Sequence, residues 1–229
     1  MKILLDETLG FTTELFPEVL IKKITGKGGR SLEENLTKKR AFIPQKFNAI
    51  SVNMDEGIDQ LRSYMSGFDE LLYIYDPYVT NQGDIKRIRN WIYPNQKLFL
   101  VDGTKNRGYV FFLLTKLQES TYEDVMMSLR GVRQHFRITS DLHSHSPSRY
   151  LQLKNPSTKM YYLLGSEGTK KAIKGSKQEL ITKVIEYFPA ETIYVASSKP
   201  VSVKESHVHT ITLSDISLPV QSETIDIFI

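Results

Sequence analysis

Apolar residues in this chain gather into short continuous runs, and amphipathic segments of helical period separate them. LLYIYD (Leu71–Asp76) leads through a polar loop into DIKRIRNWIYP and then KLFLVDGT, which ends at Thr104. MYYLLGS (Met160–Ser166) leads through a longer basic loop into KQELITKVIEYFP and then TIYVASSK, which ends at Lys199. The two stretches align at a constant offset of 95 residues: Ile85 meets Leu180, Ile92 meets Tyr187, Pro94 meets Pro189, and Leu98–Leu100 meet Ile193–Val195. Apolar runs bounded by turn residues and alternating with amphipathic helices predict βα units and a mostly parallel sheet. The expected fold class is α/β, a Rossmann-like three-layer sandwich, and the offset allows two related halves. Ligands of such sheets collect outside the carboxyl ends of the strands.

The same patterning places the other elements. KILLD (residues 2–6) reads as a buried strand, while residues 12–24 fit helix or strand equally well. Ser31 with Glu34 has capping-box spacing and opens SLEENLTKK, and Ala49–Val52 form a second candidate strand. Ile58, Leu61, Tyr64 and Met65 follow helical spacing up to Gly67. In the helix at about 83–93, Ile85, Ile88 and Ile92 share one face and Trp91 is expected against the sheet. LFLV suits a central strand covered on both faces. RGYVFFLLTKLQES and TYEDVMMSLRGVRQHF read as helices, SHVHTITL as a strand, and the tail ends in an alternation, TIDIFI, suited to a sheet edge. The stretch 139–158, rich in Ser, Pro and His, is the candidate connector between an N-terminal half, 1–138, and a C-terminal half, 159–229. One continuous domain is the other organisation.

Composition narrows the classes. A chain of 229 residues, 40% hydrophobic and 24% charged, can build a sizeable globular core. Its longest apolar run, Tyr109–Leu114, falls far short of the roughly 20 residues that span a bilayer, so no membrane partner is expected. MKILLDETLGF lacks a signal peptide's apolar core, which points to the cytoplasm. The absence of cysteine excludes disulfides, thiol nucleophiles and cysteine zinc sites. Net charge is only +4, but Lys22–Lys46 concentrates eight basic residues against Glu33 and Glu34. Such a segment can bind phosphate backbones or serve as a solvated connector.

Two loops carry candidate anion chemistry. In Asp102–Gly108 a strand leads into a helix N-terminus, whose free N–H groups favour an anion, and Gly103, Lys105 and Arg107 are the candidate ligand-binding residues. In GSEGTKKAIKGSK (Gly165–Lys177) the candidates are Lys170, Lys171 and Lys177, although the Walker spacing GxxxxGK[ST] is absent. A plain βα turn and an exposed basic loop are the structural alternatives. Four of the five histidines form the pairs His143/His145 and His207/His209, and on a strand His207 and His209 would share a side. DLHSHS (Asp141–Ser146) resembles the opening motif of PHP-type metal-dependent phosphoesterases, but the further His and acidic ligands of that family do not follow, and no metal site is assigned.

KILLDETLG and KGSKQELITKVIEYFPAETIYVASSKP together resemble haloacid-dehalogenase-like phosphohydrolases. The resemblance implies Asp6 as nucleophile, Thr8 beside it, Thr104 as the second-motif hydroxyl and Lys174 as the neutralising lysine, with Mg²⁺ as cofactor. Where that family places its metal-binding acids, this chain has Ala196, Ser197, Ser198 and Val201. Two functions are therefore expected. One is a non-catalytic binding or interaction protein, without a cofactor, that contacts a phosphate-bearing small molecule or nucleic acid through basic loops, with a protein partner as a further option. The other is a Mg-dependent phosphohydrolase with catalytic residues Asp6, Thr104 and Lys174.

Overall fold

The computed structural model describes residues 1–22, 68–77, 80, 82–91, 95–129, 134–139, 161–165, 168–214 and 224–229. The elements expected at 31–39, 49–52 and 54–66, the His143/His145 pair and the packing of the Trp91 side chain lie outside what it describes. Of the connector 139–158 only Thr139 is described. The chain divides into two compact units, Met1–Lys105 and Asn106–Ile229.

In the N-terminal unit β1 (Lys2–Asp6), β2 (Val19–Lys22), β3 (Glu70–Tyr75) and β4 (Lys97–Asp102) form a four-stranded sheet in the order β2-β1-β3-β4. Every pairing in it is parallel. Helix α1 (Gln82–Trp91) joins β3 to β4, the unit that the alternation of LLYIYD, DIKRIRNW and KLFLVD predicts. Parallel strands are buried on both faces, so their sequences run apolar without a break, and Leu71–Ile74 are all buried. Ile88 of α1 packs on the face carrying Leu4, Leu71 and Tyr73. Leu9, in a 3-10 turn (Glu7–Leu9), lies near Gly103 and Ile74. LFLV departs from expectation, because β4 is the outer strand of this sheet and is only partly buried.

The C-terminal unit contains β5 (His135–Thr139), β6 (Tyr161–Gly165), β7 (Gly168–Gly175), β8 (Ile193–Ser197), β9 (Val208–Thr212) and β10 (Thr224–Phe228). Their order is β7-β6-β5-β10-β8-β9, with β8–β9 parallel and the other pairings antiparallel. Helices α2 (Arg107–Lys116) and α4 (Lys177–Tyr187) cover opposite faces, and α3 (Tyr122–Ser128) follows α2. Alternation along the strands sorts the two layers. Ile193, Val195, Ile225 and Ile227 pack with Leu180, Ile181, Val184 and Ile185 of α4. Tyr194 and Phe228 point the other way, and Phe112 of α2 meets Tyr194 edge-on at 5.2 Å and Phe228 at a tilt at 4.9 Å. The protein is thus α/β, with one parallel and one mixed sheet.

Three sequence expectations change in this unit. The helix read over 121–136 is α3 only to Ser128, and His135 and Phe136 open strand β5. The basic loop Gly165–Lys177 is mostly strand β7, paired antiparallel to β6 through Tyr161↔Gly175 and Tyr162↔Lys174. Its lysines therefore belong to a sheet-edge strand, and lysines on an edge discourage edge-to-edge pairing. The helix after it starts at Ser176, whose side chain and that of Glu179 cap each other's backbone N–H. The tail TIDIFI is not an edge strand, since β10 lies between β5 and β8 and is buried throughout. The 95-residue offset aligns sequences whose pairings differ: β3 and β4 are parallel neighbours, whereas β5 and β10 separate β6 from β8. Among the described residues no helix is long and apolar enough to cross a membrane.

Candidate functional site

The carboxyl ends of β1, β2 and β3 bring together a set of buried polar groups. Asp6 ends β1 and is wholly buried, and its register partner is Lys22 at the end of β2. Asp6 Oδ1 accepts from Tyr73 Oη at 2.8 Å and lies 3.3 Å from Lys22 Nζ. Asp6 Oδ2 accepts from the Asp76 backbone N–H and from Thr80 Oγ1, both at 2.8 Å. Lys22 also donates to Tyr73 Oη at 2.8 Å and to Thr80 Oγ1 at 2.9 Å, beside its ion pair with Asp6. Thr8 Oγ1 donates to Asp76 Oδ2 at 2.7 Å. A buried carboxylate is tolerable only when paired and hydrogen-bonded, and Asp6 meets both conditions.

The same edge continues at β4. Thr104 donates its backbone N–H and its hydroxyl to Asp102 Oδ1 at 3.0 and 2.7 Å, an Asx-type turn. Gly103 is buried, and its N–H donates to Tyr75 O at 2.9 Å. A Cβ there would meet Leu9 Cδ1 at 2.5 Å, so the packing of Leu9 favours glycine at this position. Lys105 is exposed.

Arg107 belongs to a second buried cluster, inside the C-terminal unit. Its backbone N–H and its Nε both donate to Asp226 Oδ2 at 3.1 Å, and its guanidinium also donates to Thr224 Oγ1. Arg137 Nε donates to Asp226 Oδ1 at 2.6 Å. Burial is the largest influence on the Asp226 carboxyl and opposes its charge. Arg137 and Arg107 together outweigh it and hold the group below the usual carboxylate range. The N-terminus of α2 does attract an anion, as a helix end after a strand should, but that anion is Asp226 of the same chain. Asn106 caps the helix by accepting from the Tyr109 N–H at 2.8 Å.

The residues singled out in the sequence are thus distributed as follows. Asp6 and Thr104 lie at the carboxyl ends of β1 and β4, with β3 between those strands. Lys174 lies in β7 of the other unit, its Nζ 5.7 Å from the Tyr162 ring centre. Lys170 and Lys171 sit in β7, and Lys177 opens α4. No motif marks Tyr73, Thr80, Arg137 or Asp226 in the sequence, and Lys22 stands there in a basic run. A tyrosine inside the apolar run LLYIY and an acid inside TIDIFI were the available signals. Among the described residues no group of three or more His, Asp or Glu is placed to hold a metal. His209 stacks on Tyr194 at 5.2 Å.

No family model matches this sequence, and no curated protein matches it. Solved structures do. A DegV-family protein from Thermus thermophilus, described by its fatty acid binding, superposes with a TM-score of 0.57 at 12% identity, over 99% of this chain and 98% of that one. A protein from Thermotoga maritima, whose structure is described as revealing fatty acid binding, gives 0.54 at 14% identity over 99% and 97%. A DegV-family protein from Ruminococcus gnavus, refined with vaccenic acid, gives 0.54 at 13% identity over 100% and 99%.

This full-length likeness overturns the haloacid-dehalogenase resemblance and, with it, the Mg-dependent phosphohydrolase alternative. Local geometry agrees, because the carboxylate of Asp6 is committed to four partners rather than presented as a nucleophile. The expectation of a phosphate-bearing ligand or nucleic acid held by basic loops is corrected on the same finding. Of the two loops invoked for it, one is mostly a strand and the other delivers Arg107 to Asp226.

Proposed function

We propose that the protein binds a fatty acid. The observation that carries this reading is the fold match over nearly the whole length of three proteins, each described with a fatty acid. The chemistry of the parallel-sheet edge supports it. Ligands of open α/β sheets lie outside the carboxyl ends of the strands, where this chain places the Thr104 hydroxyl and the exposed Lys105. We assign the carboxylate of the lipid to that edge, with Thr104 and Lys105 as its contacts. A cytoplasmic location belongs to the same proposal, and fractionation of cells making the tagged protein tests it.

Thermal unfolding of delipidated protein with and without a long-chain fatty acid tests the function. A ligand that binds only the native state stabilises it by about 2.7 kcal/mol at a hundred times its Kd. A concentration-dependent rise in Tm is expected with the fatty acid and none with inorganic phosphate. A rise with phosphate alone, or with neither, refutes the proposal.

A further inference from the structure

We propose that Lys22 is a positioning residue which, acting through Asp6, fixes Asp76 and Thr80, the two ends of a turn after β3, at the ligand-binding edge. One carboxylate oxygen of Asp6 holds both ends of that turn, accepting from the Asp76 N–H and from Thr80 Oγ1, each at 2.8 Å. The turn also closes on itself, with Thr80 N–H donating to Asp76 O at 2.8 Å. Burying the Asp6 carboxylate costs its hydration, and Lys22, 3.3 Å away, supplies the compensating charge. Lys22 makes a second link to the same turn through Thr80 Oγ1 at 2.9 Å. It donates to Tyr73 and Thr80, pairs with Asp6 and is 5% exposed, so it works inside the cluster and does not itself touch a ligand. A buried ion pair is weak evidence for stability, since well-packed apolar residues of similar volume often replace one without loss. What an apolar pair cannot do is hold a backbone N–H and a hydroxyl of one turn at fixed points, which a site aimed at a carboxylate requires.

The ligand part of this inference rests on the fatty-acid reading, and its test is arranged so that the two can fail separately. The double variant Asp6→Leu/Lys22→Met removes both charges together, leaving the Tyr73 and Thr80 hydroxyls, 2.9 Å apart, to bond each other. The single variant Thr80→Val keeps the ion pair but frees the far end of the turn. Hydrogen exchange in the ligand-free proteins reads the turn, and fatty-acid titration reads the site. In each variant that retains the wild-type circular dichroism spectrum, the Asp76 and Thr80 amides should exchange about ten-fold faster or more. Fatty-acid affinity should fall by about the same factor, or about 1.4 kcal/mol. If the double variant does not fold, Lys22→Met, which keeps Asp6 and Thr80, decides. Unchanged exchange at these amides overturns the positioning role whether or not any lipid binds. Faster exchange with unchanged fatty-acid affinity overturns its link to the site. A wild-type protein that binds no fatty acid sinks the fatty-acid reading and the link to the site, while amide exchange still decides whether Lys22 holds the turn.

Discussion

Replacing Asp226 with asparagine should remove a large share of the stability of the C-terminal unit. The carboxylate is wholly buried, and three hydrogen bonds from Arg107 and Arg137 converge on it. The substituted amide would occupy the same volume but withdraw the charge that both guanidiniums face, and Arg107 is only 5% exposed. Breaking a buried charge pair in this one-sided way costs about 3–5 kcal/mol, against a total of roughly 5–15 kcal/mol for a typical protein. With a urea dependence near 2 kcal/mol per molar, the unfolding midpoint should fall by about 1.5–2.5 M. The pH dependence has a definite sign. The folded carboxyl titrates below its ordinary value, so its contribution is present above the unfolded pKa of about 3.9 and is lost as pH falls through the lower, folded value. Wild type and variant should therefore differ most near neutrality and converge in acid. Urea titrations followed by far-UV circular dichroism at pH 7 and at steps down to pH 3 measure both effects. The single tryptophan, Trp91, lies in the N-terminal unit, so its fluorescence reports that unit separately. A variant midpoint within about 0.3 M of wild type at pH 7 would refute the reasoning.

Gly108→Ala should destabilise even though alanine favours helix. The added Cβ would stand 2.8 Å from the carbonyl oxygens of Tyr194 and Asp226, backbone atoms that cannot swing aside. A loss of about 1–3 kcal/mol in urea unfolding is expected, and a gain would show that α2 can lift off the sheet freely. Ser176→Ala removes the capping box of α4 and should cost about 1 kcal/mol, with Ser176→Thr close to wild type. Equal stability of the alanine variant would show that the cap contributes nothing net.

Much of the architecture was legible in local pattern. KILLD, LLYIYD and the DIKRIRNW helix are read correctly because parallel strands need continuous apolar runs and α1 needs one apolar stripe. What failed depends on partners distant in sequence. β7 looked like a loop because its glycines and lysines carry no alternation, yet Tyr162↔Lys174 pairing makes it a strand. β10 looked like an edge because no local signal shows that β5 and β8 flank it. Arg107 carried the right chemistry, attraction of an anion to a helix N-terminus. Its counter-ion lies 119 residues away, and only the fold reveals it. Asp6 was singled out for the wrong reason. An acid at a strand end reads as a nucleophile until Lys22, Tyr73 and Thr80 are seen to consume it.

Calorimetric titration of the delipidated full chain with vaccenic acid tests the central claim most directly. The account predicts saturable, stoichiometric binding that weakens when Lys105 is replaced by Glu, because a carboxylate would then face a like charge. Titration heats indistinguishable from dilution for the wild-type protein would contradict it.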